Sequence, residues 1–150
     1  MKFIAAVAAL LVATVANAQV PFTNCASGPT QIAIEKFTIA PYPLCIGKNV
    51  CAEGTGALST PVIQGATLSI TGRYLGRLVY TDNHDLCALM AAQVPPQPCP
   101  IPTTVKSIKS CVLVKPNAPP NIAVALQVAA VNGDGGTLFC QGATVTAKTC

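Results

Sequence analysis

Eight cysteines, Cys25, Cys45, Cys51, Cys87, Cys99, Cys111, Cys140 and Cys150, constrain this chain more than any other feature. All lie downstream of Met1-Lys2, an apolar run from Phe3 to Val15, and Ala16-Asn17-Ala18. A basic start, a short apolar run and an A-x-A site are the parts of a secretory signal peptide. The run falls short of the ~20 residues that cross a bilayer. Cleavage after Ala18 is therefore expected, with residues 1–18 as signal peptide and 19–150 as one mature domain. An even number of cysteines in an exported chain reads as a disulfide framework whose pairing the count leaves open. No C-x2-C pair suggests zinc, and no metal or cofactor is expected.

Strand patterns dominate the remainder. Hydrophobic residues make up 51% of the chain and charged residues 9%, the opposite of a disordered composition. The net charge of +4 comes from isolated Lys and Arg with no basic run, so a nucleic-acid partner is not expected. From Thr30 to Ile39 the apolar positions shift from even (Ile32, Ile34) to odd (Phe37, Ile39), which predicts a strand with a bulge. Further strands are predicted over Val50–Leu58, Gly65–Thr71, Tyr74–Tyr80, Val105–Val114, Ile122–Ala130 and Thr137–Thr146. A short helical turn is expected within Asp82–Met90, and Asn132-Gly133-Asp134-Gly135-Gly136 is a strong turn signal. Six to eight strands with hardly a helix predict an all-β sandwich.

Nothing in the chain announces catalysis. His84, the only histidine, falls in Thr81-Asp82-Asn83-His84-Asp85, read as a solvated polar loop. There is no G-x-S-x-G nucleophile elbow. The acids Glu35, Glu53, Asp82, Asp85 and Asp134 are scattered without a glycosidase-like pairing. We expect no enzyme.

A succession of segments does carry a family signature. Ile34-Glu35-Lys36-Phe37-Thr38-Ile39-Ala40-Pro41, Gly47-Lys48-Asn49-Val50, Glu53-Gly54-Thr55-Gly56-Ala57-Leu58, Gly65-Ala66-Thr67-Leu68-Ser69-Ile70, Asp85-Leu86-Cys87, Cys99-Pro100 and Leu138-Phe139-Cys140 follow in order. Together they resemble the ML-domain (lipid-recognition) family. The nearest likeness is to fungal phosphatidylglycerol/phosphatidylinositol transfer proteins and Niemann–Pick type C-like sterol carriers. The proline-rich Pro95–Pro102 segment, a thin basic cluster, and the additional Cys51, Cys111 and Cys150 depart from the pattern.

The resemblance implies an immunoglobulin-like β-sandwich of two antiparallel sheets, stapled by disulfides, with an apolar cavity between them. It implies Cys25–Cys140 and Cys87–Cys99. Cys45–Cys51 with Cys111–Cys150 is the preferred completion, and Cys51–Cys111 with Cys45–Cys150 the alternative. Alternation turns Cys51 and Cys111 outward under either. The cavity wall is expected to include Ile34, Phe37, Leu68, Ile70, Leu78, Leu126, Val128 and Phe139, with Tyr74, Tyr80 and Met90 nearer a mouth. Lys48, Arg73, Arg77, Lys106 and Lys109 are candidates for an anionic headgroup.

The implied ligand is a sterol, phosphatidylinositol or phosphatidylglycerol, or a fatty acid. It would be carried by a monomer that touches membranes transiently, in a secreted, extracellular or vacuolar-lumen setting. At about 0.8 kcal/mol per CH2, a 16-carbon chain gains roughly 12 kcal/mol of gross transfer free energy, enough for affinity without an ion pair. A lipid-presenting recognition adaptor and a structural cysteine-rich secreted protein are the competing classes. Hydrophobins and plant lipid-transfer proteins carry adjacent Cys-Cys pairs, and this chain has none.

Overall fold

The computed structural model describes residues 19–150; the expected signal peptide, residues 1–18, lies outside them. In chain order the elements are β1 (Thr23–Asn24), β2 (Ile32–Ala40), β3 (Leu44–Cys45), β4 (Asn49–Leu58), β5 (Thr67–Tyr74), β6 (Arg77–Asp85), α1 (Leu86–Ala91), β7 (Ser107–Leu113), β8 (Ala123–Val131) and β9 (Thr137–Lys148). They form a small sheet, β2-β4-β7, and a large sheet, β1-β9-β8-β5-β6, with β3 added to β9. Every pairing is antiparallel except β3 with β9, which is parallel.

Local chemistry explains the irregularities. The register of β2 on β4 shifts between Ile34 and Lys36, so Glu35 is the extra residue that moves inward positions from even to odd. This is the bulge that the change of apolar parity predicts. Helix α1 starts at Asp85, whose side chain accepts a hydrogen bond from the Ala88 N–H at 2.9 Å. Its Leu86, Cys87 and Met90 are buried. The β8–β9 turn is fixed by Asn132, only 2% exposed, whose amide donates to Pro61 O and Gln31 Oε1 and accepts from Ile63 N–H.

Three expectations are corrected. Tyr74–Tyr80 is not one strand. Leu75 (φ 49°) and Gly76 (φ 78°) both adopt left-handed backbone, the geometry of a two-residue hairpin turn. Thr81–Asp85 is not a solvated loop but the end of β6, paired residue by residue with β5. Five polar residues in succession hide the strand: Thr81, Asn83 and Asp85 take its outer face, and Asp82 and His84, on the face of Tyr80, are polar because Asp82 bonds both His84 and Lys115.

The third correction concerns disulfides. Cys25–Cys140 and Cys87–Cys99 are present, but the other four cysteines form Cys51–Cys111 and Cys45–Cys150, not Cys45–Cys51 and Cys111–Cys150. Register is the reason. Cys51 and Cys111 are direct partners across β4 and β7, with Cα atoms 3.9 Å apart. Cys45 instead rides on β3, held against the end of β9 and so beside the C-terminal Cys150.

Two apolar clusters fill the sandwich. One, with Met90, Ile101, Leu138 and Val62 almost wholly inaccessible, sits beneath α1. The other gathers Val20, Leu44, Val114, Ala118, Val145 and Ala147 at the opposite end. Tyr80 and Leu126 pack against both, and the space between the sheets runs past them.

Candidate functional site

Alternation builds the cavity. Leu68, Ile70 and Gly72 from β5 and Val124, Leu126 and Val128 from β8 face Val50, Ala52 and Gly54 from β4 and Ile108, Ser110 and Val112 from β7. Successive strand residues point to opposite faces, so each strand gives every second side chain to the interior. The cavity volume is about 130 Å³. It extends from Val62, Leu86 and Ile101 near α1 to Val114, Ala118 and Ala147 at the far end. Among its lining residues only Tyr80, Lys106 and Ser110 carry polar side chains.

Of the expected wall residues, Ile34, Phe37, Leu68, Ile70, Leu126, Val128 and Phe139 line this space. Tyr80 and Met90, expected nearer a mouth, line it too, but Met90 is only 1% exposed and lies in the core beneath α1, not at an opening. Tyr74 and Leu78 do not; they are 39% and 52% exposed. The register of β5 on β6 shifts after Gly72: Gly72 faces Tyr80, whereas Arg73 faces Leu78. Val79 is the extra residue, and it turns Leu78 to the outer face beside Arg73. Tyr74 lies beyond the bulge, at the hairpin tip. Of the basic candidates, Lys106 alone lines the cavity, while Lys48, Arg73, Arg77 and Lys109 do not.

The two long sides of the sandwich are fastened differently. Where β2 overlies β9, Phe37 packs on Phe22 with ring centroids 4.8 Å apart and on Phe139 at 6.0 Å, an aromatic bridge between the sheets. Cys25–Cys140 and Cys45–Cys150 anchor the N-terminal segment and β3 to β9 and the C-terminus on that side.

The other side is bounded by two sheet edges, β6 and β7, and is crossed by Lys115, two residues beyond the end of β7. There Asp82, 4% exposed, receives Lys115 Nζ at 2.6 Å on Oδ1 and lies 2.8 Å from His84 Nε2 through Oδ2. Lys115 also donates from Nζ to Thr81 O and, at 3.4 Å, from its backbone N–H to the Tyr80 hydroxyl. Burial alone would raise the Asp82 carboxyl, but hydrogen bonds from Lys115 and His84 outweigh it and hold the group below its ordinary value. The same hydrogen bond raises the Lys115 ammonium. Burial is the main cause that pushes the Tyr80 phenol up.

Sequence reasoning missed Asp82 as a buried group because its tertiary partner, Lys115, lies 33 positions away. Alternation along β6, with Tyr80, Asp82 and His84 on one face, was the signal available. His84 is committed to Asp82, and the described residues contain no group of three or more His, Cys, Asp or Glu side chains placed to hold a metal ion.

The ML domain family model matches residues 19–147. No curated protein matches the chain in sequence. Among solved structures, a Niemann-Pick type C2 protein from the Japanese carpenter ant is similar with a TM-score of 0.62 and 14% identity, over 85% of this chain and 99% of that one. Chicken MD-1 complexed with lipid IVa is similar with a TM-score of 0.50 and 10% identity, over 85% and 97%. At these identities the likeness is one of fold.

Proposed function

The chain belongs to the ML-domain family, and from that premise we propose that it binds a lipid between its two sheets and carries it from one membrane to another. The observation that carries this reading is the continuous apolar lining of the cavity, interrupted only by Tyr80, Lys106 and Ser110. Such a lining suits a hydrocarbon body, with the polar end of the lipid at those three residues. A sterol, a phosphatidylinositol or phosphatidylglycerol, or a fatty acid meets that description. No bond is made or broken. The work is transfer of apolar surface out of water, at about 25 cal/mol per Å². The complex of chicken MD-1 with lipid IVa supports the capacity of this fold for lipid.

The cavity, at about 130 Å³, is close to an engineered apolar cavity of ~150 Å³ that accepts benzene. A whole acyl chain or sterol therefore requires the sheets to part. Four disulfides and the segment 1–18 support a secreted or vacuolar-lumen protein, here read as a monomer with 19–150 as its lipid-binding domain. Transient membrane contact is assigned to the β5–β6 hairpin. It presents Tyr74 and Leu75, the latter 85% exposed, between Arg73 and Arg77, with Leu78 directly after. Apolar tips flanked by cations suit an anionic bilayer surface.

The test is native mass spectrometry of the secreted protein followed by lipid extraction. A bound lipid that disappears in folded Leu126→Asp and Phe139→Asp variants is expected. A protein that never acquires lipid from vesicles, or variants that retain it, would overturn the reading.

A further inference from the structure

Resting on that reading, we infer that Asp82 and Lys115 form a clasp across the β6–β7 side of the sandwich, and that breaking it is the step that lets a lipid in or out. Four observations converge. The cavity is too small for a lipid unless the sheets separate. The β2–β9 side resists separation, because the Phe22–Phe37–Phe139 bridge spans the two sheets and Cys45–Cys150 ties the β2–β4 connection to the end of β9. The α1 end is plugged by Met90, Ile101, Leu138 and Val62, all inaccessible, and by the paired backbones of Val62 and Ile101. None of the four disulfides joins β6 to β7: Cys51–Cys111 lies within the small sheet, and Cys87–Cys99 closes the loop that follows α1.

Besides the packing of the Tyr80 ring on the far-end cluster, what crosses from β6 toward the small sheet there is polar. Lys115 directly follows Val114, itself a wall residue, on the chain leaving β7. It reaches over to Asp82, the Thr81 carbonyl and the Tyr80 hydroxyl on β6. Tyr80 lines the cavity, so the clasp is anchored to the wall it closes. A polar contact of this kind is suited to a gate. It holds the sheets in one register, yet water can replace it on opening, whereas exposed apolar groups could not be satisfied that way. Asp82 and Lys115 are thus positioning residues for passage and not part of the lipid contact. The exposed hairpin tip at Leu75 is continuous along β6 with Tyr80, so the clasp lies beside the element assigned to the membrane.

The experiment loads the mature protein with cis-parinaric acid, a fluorescent fatty acid, and follows its uptake and its release to phosphatidylcholine vesicles by stopped flow. Lys115→Met and Asp82→Asn should accelerate both directions by roughly two- to fivefold, the weight of one partly exposed ion pair, with little change in equilibrium affinity. Lys109→Met, which removes the same charge outside the cavity lining, should leave the rates alone. Raised salt should quicken the wild type toward the variants without moving the variants.

Should Asp82→Asn fail to fold, Lys115→Met still decides the matter, because Lys115 is 43% exposed and keeps its aliphatic stem. Amide hydrogen exchange in β6 and β7 gives a second readout, expected to quicken in Lys115→Met. A wild type that takes up the probe while Lys115→Met leaves its rates unchanged removes the clasp alone. A wild type that takes up no lipid removes the binding reading, and the clasp with it.

Discussion

Replacing Gly54 with alanine distinguishes an unfilled interior from a packed one by the sign of its effect. Gly54 lies on the inward face of β4, and a Cβ built there meets Phe37 Cδ2 at 3.5 Å and Ile34 Cδ1 at 3.7 Å, ordinary contact distances. Glycine inside a strand costs roughly 0.5–1 kcal/mol relative to alanine through lost chain entropy. A methyl group moved from water into the cavity adds about 0.8 kcal/mol. Gly54→Ala should therefore stabilise the protein by about 1–2 kcal/mol. In a filled core the same methyl would overpack and cost ~1–3 kcal/mol. Urea unfolding reads the difference as a higher midpoint at unchanged slope. The methyl also occupies space beside Phe37 and Ile34, so lipid occupancy by native mass spectrometry should fall. Gly56, two residues along, is the internal control. A Cβ there overlaps the Ala33 carbonyl oxygen, so Gly56→Ala should destabilise by about 2 kcal/mol or more. A destabilised Gly54→Ala protein, or a stabilised one that binds lipid undiminished, would refute the open-cavity argument.

Acid should weaken the protein through Asp82. Its carboxyl titrates below the ordinary value in the folded state, so its stabilising effect is complete above the unfolded pKa of about 3.9 and is lost as pH falls through the folded value. Thermal melts should show the wild type more stable than Asp82→Asn at about pH 6, with the gap closing toward about pH 2. Removing Cys45–Cys150, whose partners are 105 positions apart, with a double alanine variant should cost ~2–5 kcal/mol in urea unfolding. Leu75→Asp should lower partitioning onto anionic vesicles roughly tenfold, since it forfeits ~1.5 kcal/mol or more of insertion, while cavity occupancy stays unchanged. Partitioning equal to wild type would discard the hairpin as the membrane-contacting element.

Much of the wall was legible because burial imposes a period of two. Leu68 and Ile70, and Leu126 and Val128, alternate with small or polar residues, and one face of each strand could be assigned without coordinates. The parity shift around Glu35 was legible for the same reason. Tyr74 and Leu78 misled because the run Tyr74–Tyr80 is apolar apart from Gly76 and Arg77, and only backbone dihedrals at Leu75 and Gly76 reveal that it folds back on itself. A bulge at Val79 then flips the face of everything before it. Disulfide pairing was illegible for a different reason: it depends on register between β4 and β7 and on a two-residue parallel strand, neither of which leaves a local pattern. The Asp82–Lys115 contact is likewise tertiary, joining the end of one edge strand to the residues after another.

Stability and openness make opposing demands on such a sandwich, and the cross-links show how the two are reconciled. Cavities in engineered cores cost about 24 cal/mol per Å³, so a void of about 130 Å³ forfeits roughly 3 kcal/mol of packing. A single disulfide contributes a similar amount, ~2–4 kcal/mol. Compensation therefore does not require four bridges, and their placement matters more than their number. Cys45–Cys150 secures the β2–β9 side, Cys25–Cys140 fixes the N-terminal segment to β9 within the large sheet, one tightens the small sheet as a unit, and one holds α1 and its loop over the closed end. The remaining side is held by an ion pair that water can replace. A sandwich fastened in this way retains a hinge side and an opening side whatever its total stability. Added stability elsewhere need not slow lipid exchange, because the bonds that set the two quantities are different bonds.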